Sequence, residues 1–407
     1  MFYVSRGRIP HKRHTQFRAR DGSLYAEELF GVEGFVGRSS LLYHRVPPTR
    51  THKIEPVGEV RLEEADDGVH RHRLIDSAPL RPKGDAITGR IPLFFNADVT
   101  LGVVLPAEAM PETLFYRNGE ADELLFVHQG SGLFDSVFGS LRYGPGDYIV
   151  IPIGTTWRLA PDAGSAQRML WLESPSEIEP PKRYRNDYGQ LLEHSPYAQR
   201  DIRVPKLVPP RSDEGEFRVH VKARGRRTAY HFTSHPFDLV GWDGYLWPYI
   251  FNIGDFEPIT GRVHQPPPVH QTFQAHNFVV CSFVPRKFDY HPLAIPAPYN
   301  HSNINSDEVI YYVAGNFMSR RGVEVSSFTL HPAGIPHGPH PGTVEASIGR
   351  EATEELAVMV DTFRPLRLTK QAADLDDPRY PYSWLPAADA LGEARALAER
   401  GPEAFPD

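Results

Sequence analysis

The chain has 407 residues, 40% of them hydrophobic and 23% charged, which suits two to three globular units with a sizeable core. The net charge of −7, without a basic stripe interleaved with aromatics, argues against nucleic acid as a partner. No run approaches the ~20 apolar residues of a membrane span, the first residues lack the apolar core of a signal peptide, and the single cysteine, Cys281, excludes an intramolecular disulfide, so we expect a soluble cytoplasmic protein.

Proline (39 residues) and glycine (33) are spread along the chain, the mark of many short strands joined by fixed turns. Residues 1 to about 90 mix β-prone pieces such as SLYAEELFG and SSLLYHRV with charged loops. From about 91 to 175 strand signals are dense, as in ELLFVHQGSGLFDSVFGSLRYG and DYIVIPIG. The segment from 175 to 230, rich in Pro, Arg and Asp, reads as a connection with some strands. A second dense region opens at HPFDLVGWDGYLWPYIFNIG and runs to about 365. In the tail, PAADALGEARALAER has helical periodicity after Pro386, which predicts a short C-terminal helix. The expected organisation is an N-terminal β-rich unit over 1–230, a second β-rich unit over 231–375 and a tail over 376–407.

The two dense regions repeat each other. YRNGEADELLFVHQG (116–130) lies over HSNINSDEVIYYVAG (301–315) without a gap, matching Asn118 with Asn303, Glu123 with Glu308 and Gly130 with Gly315. Further on, PIGTTW (152–157) matches PAGIPH (332–337). A duplicated small barrel follows, each sheet closing on itself to remove exposed edges. Where the second copy has His301 and His337, the first has Tyr116 and Trp157, so the first is expected to bind no metal.

The second copy offers His301, Glu308 and His337 in the spacing H-x6-E-x28-H. Two imidazoles and one carboxylate on one face of an ion leave open positions opposite, an arrangement suited to Fe(II) with an organic substrate and O₂. Mn(II) and Zn(II) are compatible with the same donors. Histidine is crowded here: eight of the 19 lie between 264 and 340. His340 and Asp307 are the nearest rival ligands, but Asp307, adjacent to Glu308 on a strand, should face the other way.

These motifs resemble those of the cupin superfamily, H-x-H-x(3–4)-E-x6-G and P-x-G-x2-H, with Asn303 in place of the second histidine. More specifically, RGRIPHKRHTQFR, HPFDLVGWDGYLWPY (235–249), H-x-N…E-x6-G (301–315) and LHPAGIPHGPHPG (330–342) resemble the homogentisate 1,2-dioxygenase family, in the family's order and over nearly the whole chain. The resemblance implies a mainly β fold of two cupin-like barrel or sandwich halves, with a metal site only in the C-terminal one. It implies a mononuclear Fe(II) enzyme that converts homogentisate, a small aromatic dihydroxy acid, and O₂ to maleylacetoacetate in tyrosine and phenylalanine breakdown. Carried over, His301, Glu308 and His337 are iron ligands, His264 is the acid–base histidine, and Tyr299, Asn303, His331 and His337 are pocket or neighbouring positions. A homo-oligomer, trimer or hexamer, is also implied.

Two departures accompany the resemblance. Six residues separate His301 from Glu308 where the family more often has five, and Phe317 stands where many members carry a substrate-contacting tyrosine. The second departure keeps open a related reading, ring cleavage of gentisate or another hydroquinone-type substrate. A non-catalytic cupin binding protein is the alternative of another class. Arg262, Arg286, Lys287, Arg320 and Arg321 are candidates to meet a substrate carboxylate.

Overall fold

Short apolar runs bounded by Pro- and Gly-marked turns fold as strands. In the computed structural model, which describes residues 1–66, 68–315, 317 and 322–385, the protein is mainly β. Among the described residues the α-helices are single turns, Thr343–Ser347 and Lys370–Ala373. The helix expected after Pro386 lies outside the described residues.

Three large sheets are stacked. A seven-stranded sheet includes Leu114–Asn118, Gly132–Ser136 and Thr156–Pro161. An eight-stranded sheet has Asp122–Gln129, Asp147–Ile151 and Arg168–Ser174 at its centre. A six-stranded sheet runs in the order Gln271–Ala275, Phe278–Phe283, Leu356–Thr362, Asp307–Ala314, Ser327–His331, Arg73–Asp76. The eight-stranded sheet is the middle layer. Leu125, Val127, Ile149, Ile151 and Trp171 pack with Tyr116, Phe134 and Trp157 of the seven-stranded sheet. Their neighbours Leu124, Phe126, Tyr148, Val150 and Leu172 join Tyr311, Phe328 and Val360 of the six-stranded sheet in a second core. A strand buried on both faces must be apolar at consecutive positions, which is why LLFV and YIVI read as unbroken runs. Two hydroxyls in this second seam are paired: that of Tyr148 lies 2.8 Å from Ser282 Oγ, and that of Tyr311 lies 2.6 Å from His128 Nδ1.

Strand pairing crosses the 230/231 boundary expected from the sequence. Leu239–Gly244 pairs with Val4–Gly7 and Ser39–His44, and Tyr249–Asn252 extends the middle sheet beside Asp147–Ile151. The block HPFDLVGWDGYLWPY thus frames the first half, with Trp242 and Trp247 fully buried. In return, Arg73–Asp76 forms the edge of the six-stranded sheet beside Ser327–His331. The segment read as a connection contains a long hairpin, Glu214–Ala223 with Arg226–Ser234.

The internal repeat has a backbone cause at its glycines. Gly130 and Gly315 end equivalent strands at φ +102° and +94°, and Gly154 and Gly334 turn at φ +80° each. These left-handed values favour glycine. At Gly315 a Cβ would also lie 2.3 Å from the Glu354 carbonyl oxygen.

Candidate metal centre

His301 and His337, far apart in sequence, are paired through their backbones. Each amide donates to the other's carbonyl, at 2.8 and 2.9 Å, which sets the two rings 4.2 Å apart. His301 Nδ1 lies 3.1 Å from the Tyr299 carbonyl and His337 Nδ1 lies 3.5 Å from that of Ile335. An Nδ1–H donating to a carbonyl leaves the lone pair on Nε2, the nitrogen free to ligate. Glu308 is the second residue of Asp307–Ala314, and its Oε2 lies 3.8 Å from His301 Nε2 and 3.5 Å from His337 Nε2. The three ligand atoms lie within 4.8 Å of one another, so small side-chain adjustments would bring all three to bonds of about 2.0–2.2 Å from one ion. Among the described residues His337 Nε2 is buried with no hydrogen-bond partner, a state costing roughly 1–3 kcal/mol unless a ligand takes it up. A cation fits this donor set.

The register of the strands determines what surrounds Glu308. Burial pushes its carboxyl up, but contacts with His301, His331 and His337 outweigh burial and hold it well below the usual carboxylate range. His331 sits directly opposite across the strand pair, fully buried, with Nδ1 2.7 Å from Glu308 Oε1 and Nε2 3.0 Å from the Tyr380 hydroxyl. The family resemblance implies for His331 a pocket or neighbouring position. It lies behind Glu308, orienting that carboxylate, and stacks on the His337 ring at 4.5 Å, while the Ile335 carbonyl faces His337 Nδ1. Asp307 points the other way, as alternation requires, and accepts the amides of Ala333 and Leu366 at 2.7 Å each. His340 is buried against Trp384 and Ser383, away from the triad. On the other neighbouring strand Asp361 faces Glu308, and burial together with the Glu308 charge pushes its carboxyl up to about 8.

A cavity opens onto His301 and Glu308, walled by Phe283, Tyr312, Phe317 and Met359. Even positions of VIYYV face it: Ile310 and Tyr312 share Glu308's side of the strand, while Val309 and Tyr311 enter the core between the sheets. His264 lines the cavity and its Nδ1 lies 3.6 Å from Asp289 Oδ2. Tyr299 stands between His264 and His301, its ring 5.0 and 6.0 Å from theirs, but is half exposed and lies outside the cavity wall. Asn303 is also outside the wall; its carbonyl accepts the amides of Ser306 and Gly334 and shapes the turns carrying Glu308 and His337. Of the basic candidates, Arg286 and Lys287 reach the cavity, Arg262 does not, and Arg320 and Arg321 lie outside the described residues. His270, Asp289 and Glu355, also on the wall, went unnoticed in the sequence because no spacing ties them to the triad.

In the first half the matched residues also converge, around a cation that the chain itself supplies. Arg90 Nη1 lies 2.5 Å from Glu123 Oε1, and the guanidinium lies 4.9 Å over Tyr116 and 6.0 Å over Trp157. A guanidinium in the midst of Tyr116, Glu123 and Trp157 occupies the counterpart of the triad.

The pattern of the family described as "Homogentisate 1,2-dioxygenase N-terminal" matches residues 86–253, the first half and the strands framing it. "Putative dioxygenase SSO1533" of Saccharolobus solfataricus is 44% identical over 386 residues, covering 94% of this chain and 99% of that one. The chain belongs to the homogentisate 1,2-dioxygenase family. "Homogentisate 1,2-dioxygenase" of Rhodopseudomonas palustris is 26% identical, covering 93% of this chain and 90% of its own length. Solved structures similar to it include a cupin 2 conserved barrel domain protein from Leptotrichia buccalis, 10% identical with a TM-score of 0.31 over 74% of this chain and 100% of that one. The 44%-identical relative spans both halves of the chain. Among the described residues no helix is long and apolar enough to cross a membrane.

Proposed function

We propose that this chain is an Fe(II)-dependent ring-cleaving dioxygenase that converts homogentisate and O₂ to maleylacetoacetate. The observation that carries the reading is the convergence of His301, Glu308 and His337, with His301 and Glu308 opening onto an aromatic-walled cavity and the His337 Nε2 buried 3.5 Å from Glu308 Oε2. When bound by these three side chains, Fe(II) would supply open positions for a phenolic oxygen and O₂ and make the ring electron-rich toward oxygen.

The protein's own groups supply orientation and proton handling. Glu308, held ionised, balances the cation's charge, and His331 with Tyr380 fixes the carboxylate's angle. Phe283, Phe317 and Met359 offer flat apolar contacts that would hold an aromatic ring and exclude water from it. His264 is the group to take the phenolic proton, its ring steadied by Asp289 as the acid–base histidine of other sites is steadied by a carboxylate. Its position on the cavity wall supports that role.

One observation favours a second substrate within the same chemistry. Phe317 presents no hydroxyl where the family often has a tyrosine, so gentisate or another hydroquinone-type diol is the competing substrate. The test is anaerobic loading with Fe(II), then oxygen uptake and product identification with homogentisate, gentisate and hydroquinone. Maleylacetoacetate formed from homogentisate at the highest kcat/KM is the expected result. Preference for another diol would replace the substrate, and iron binding without oxygen uptake would favour a binding protein.

A further inference from the structure

One wall of the cavity is polar where the rest is aromatic and aliphatic. Arg286 enters it from the two-residue strand Arg286–Lys287. Its Nη1 is held by the Val284 carbonyl at 3.2 Å and Glu355 Oε1 at 3.3 Å, and its guanidinium lies 5.9 Å over the Phe283 ring. Among the described residues nothing accepts a hydrogen bond from Nε or Nη2. A two-donor edge of an anchored guanidinium is therefore left over, the shape that matches the two oxygens of a carboxylate.

His270 reinforces this wall from the other side of Phe283, its ring 4.8 Å from that ring. It is 5% exposed, and neither ring nitrogen has a hydrogen bond to a described residue. Burial, and then the charges of Arg286 and His264, push its imidazole down to about 3, so it stays neutral and offers a donor without adding charge. The carboxylates on the wall are already engaged. Glu355 is bonded to Arg286, Glu308 belongs to the triad, and Asp289 meets His264 and the amides of Gly261 and Gln265.

Resting on the ring-cleavage reading, we infer that Arg286, with His270 beside it, is the specificity-determining anchor for a carboxylate carried by the aromatic diol. The anchor takes over the polar contact that Phe317 lacks. It selects acids over neutral diols of the same shape.

The test uses the Fe(II)-loaded full chain and three probes: homogentisate, its neutral amide and hydroquinone. Anaerobic calorimetry reads binding, and oxygen uptake reads turnover. Wild type should favour the acid over the amide. Arg286→Gln should raise Kd and KM for the acid about 10- to 100-fold, the usual worth of a charge-assisted pair. The amide, hydroquinone and iron content should be unmoved, and Arg286→Lys should recover part of the acid's advantage. Equal affinity of Arg286→Gln and wild type for the acid overturns the anchor, as does an equal loss for all three probes. Wild type that cleaves hydroquinone while Arg286→Gln changes nothing overturns the anchor alone. Wild type that binds the acid through Arg286 but consumes no oxygen supports the anchor and overturns ring cleavage.

Discussion

Replacing Arg90 by Met would open the self-sufficient first half. The Arg90 side chain is 9% exposed and Glu123 is 1% exposed, with Nη1 2.5 Å from Glu123 Oε1 and 3.9 Å from Glu173 Oε2. Met keeps most of the stem's volume, so the change removes the charge more than the packing. Among the described residues Glu123 would keep only the Asn118 amide, at 3.2 Å, as a hydrogen-bond donor. Removing one partner of a buried ion pair costs roughly 3–5 kcal/mol, because the other charge stays desolvated and uncompensated. With an unfolding entropy near 2.1 cal/mol/K per residue, a whole-chain transition would shift down by about 4–6 °C. The pair Arg90→Met, Glu123→Leu removes both charges and should recover at least half of that loss. Differential scanning fluorimetry on the single and double variants measures both effects. Iron content, and turnover per iron, should match wild type, because the triad lies in the other half. An unchanged melting temperature in the single variant, or additive losses in the double, would refute the account of Arg90 as the cation of the first barrel.

His301→Ala and His337→Ala should each abolish iron retention by elemental analysis, whereas His264→Ala should keep iron and slow turnover about 10²- to 10⁴-fold. Tyr380→Phe removes the hydroxyl that meets His331 Nε2 and should weaken iron affinity about 10- to 100-fold in a chelator competition, with the fold intact. His44 sets a pH dependence: burial opposes its charge, but bonds to Asp238 at 2.7 Å and Glu28 at 2.9 Å outweigh burial and push it up to about 9. Its folded value is above the unfolded value of ~6.5, so its contribution, about 3 kcal/mol, is full below pH ~6.5 and lost as pH rises through ~9. Melting temperature should therefore fall across that window, and His44→Gln should flatten this part of the profile.

The sequence by itself determined those features that local chemistry dictates. Turn glycines, strand alternation and an ungapped repeat were enough to pick out His301, Glu308 and His337 and to set Asp307 on the opposite face, because each depends on a few adjacent residues. The same comparison marked Tyr116 and Trp157 as non-ligands. Only the tertiary structure decided who meets whom across strands. The backbone bridge between His301 and His337, His331 standing opposite Glu308, and the Arg90 guanidinium among Tyr116, Glu123 and Trp157 all follow from long-range register. So do the strands at 239–252 framing the first half and the union of Arg286, His270 and Asp289 on one wall. Register is set by burying both faces of the middle sheet at once, a sum over dozens of side chains that no short stretch of sequence carries.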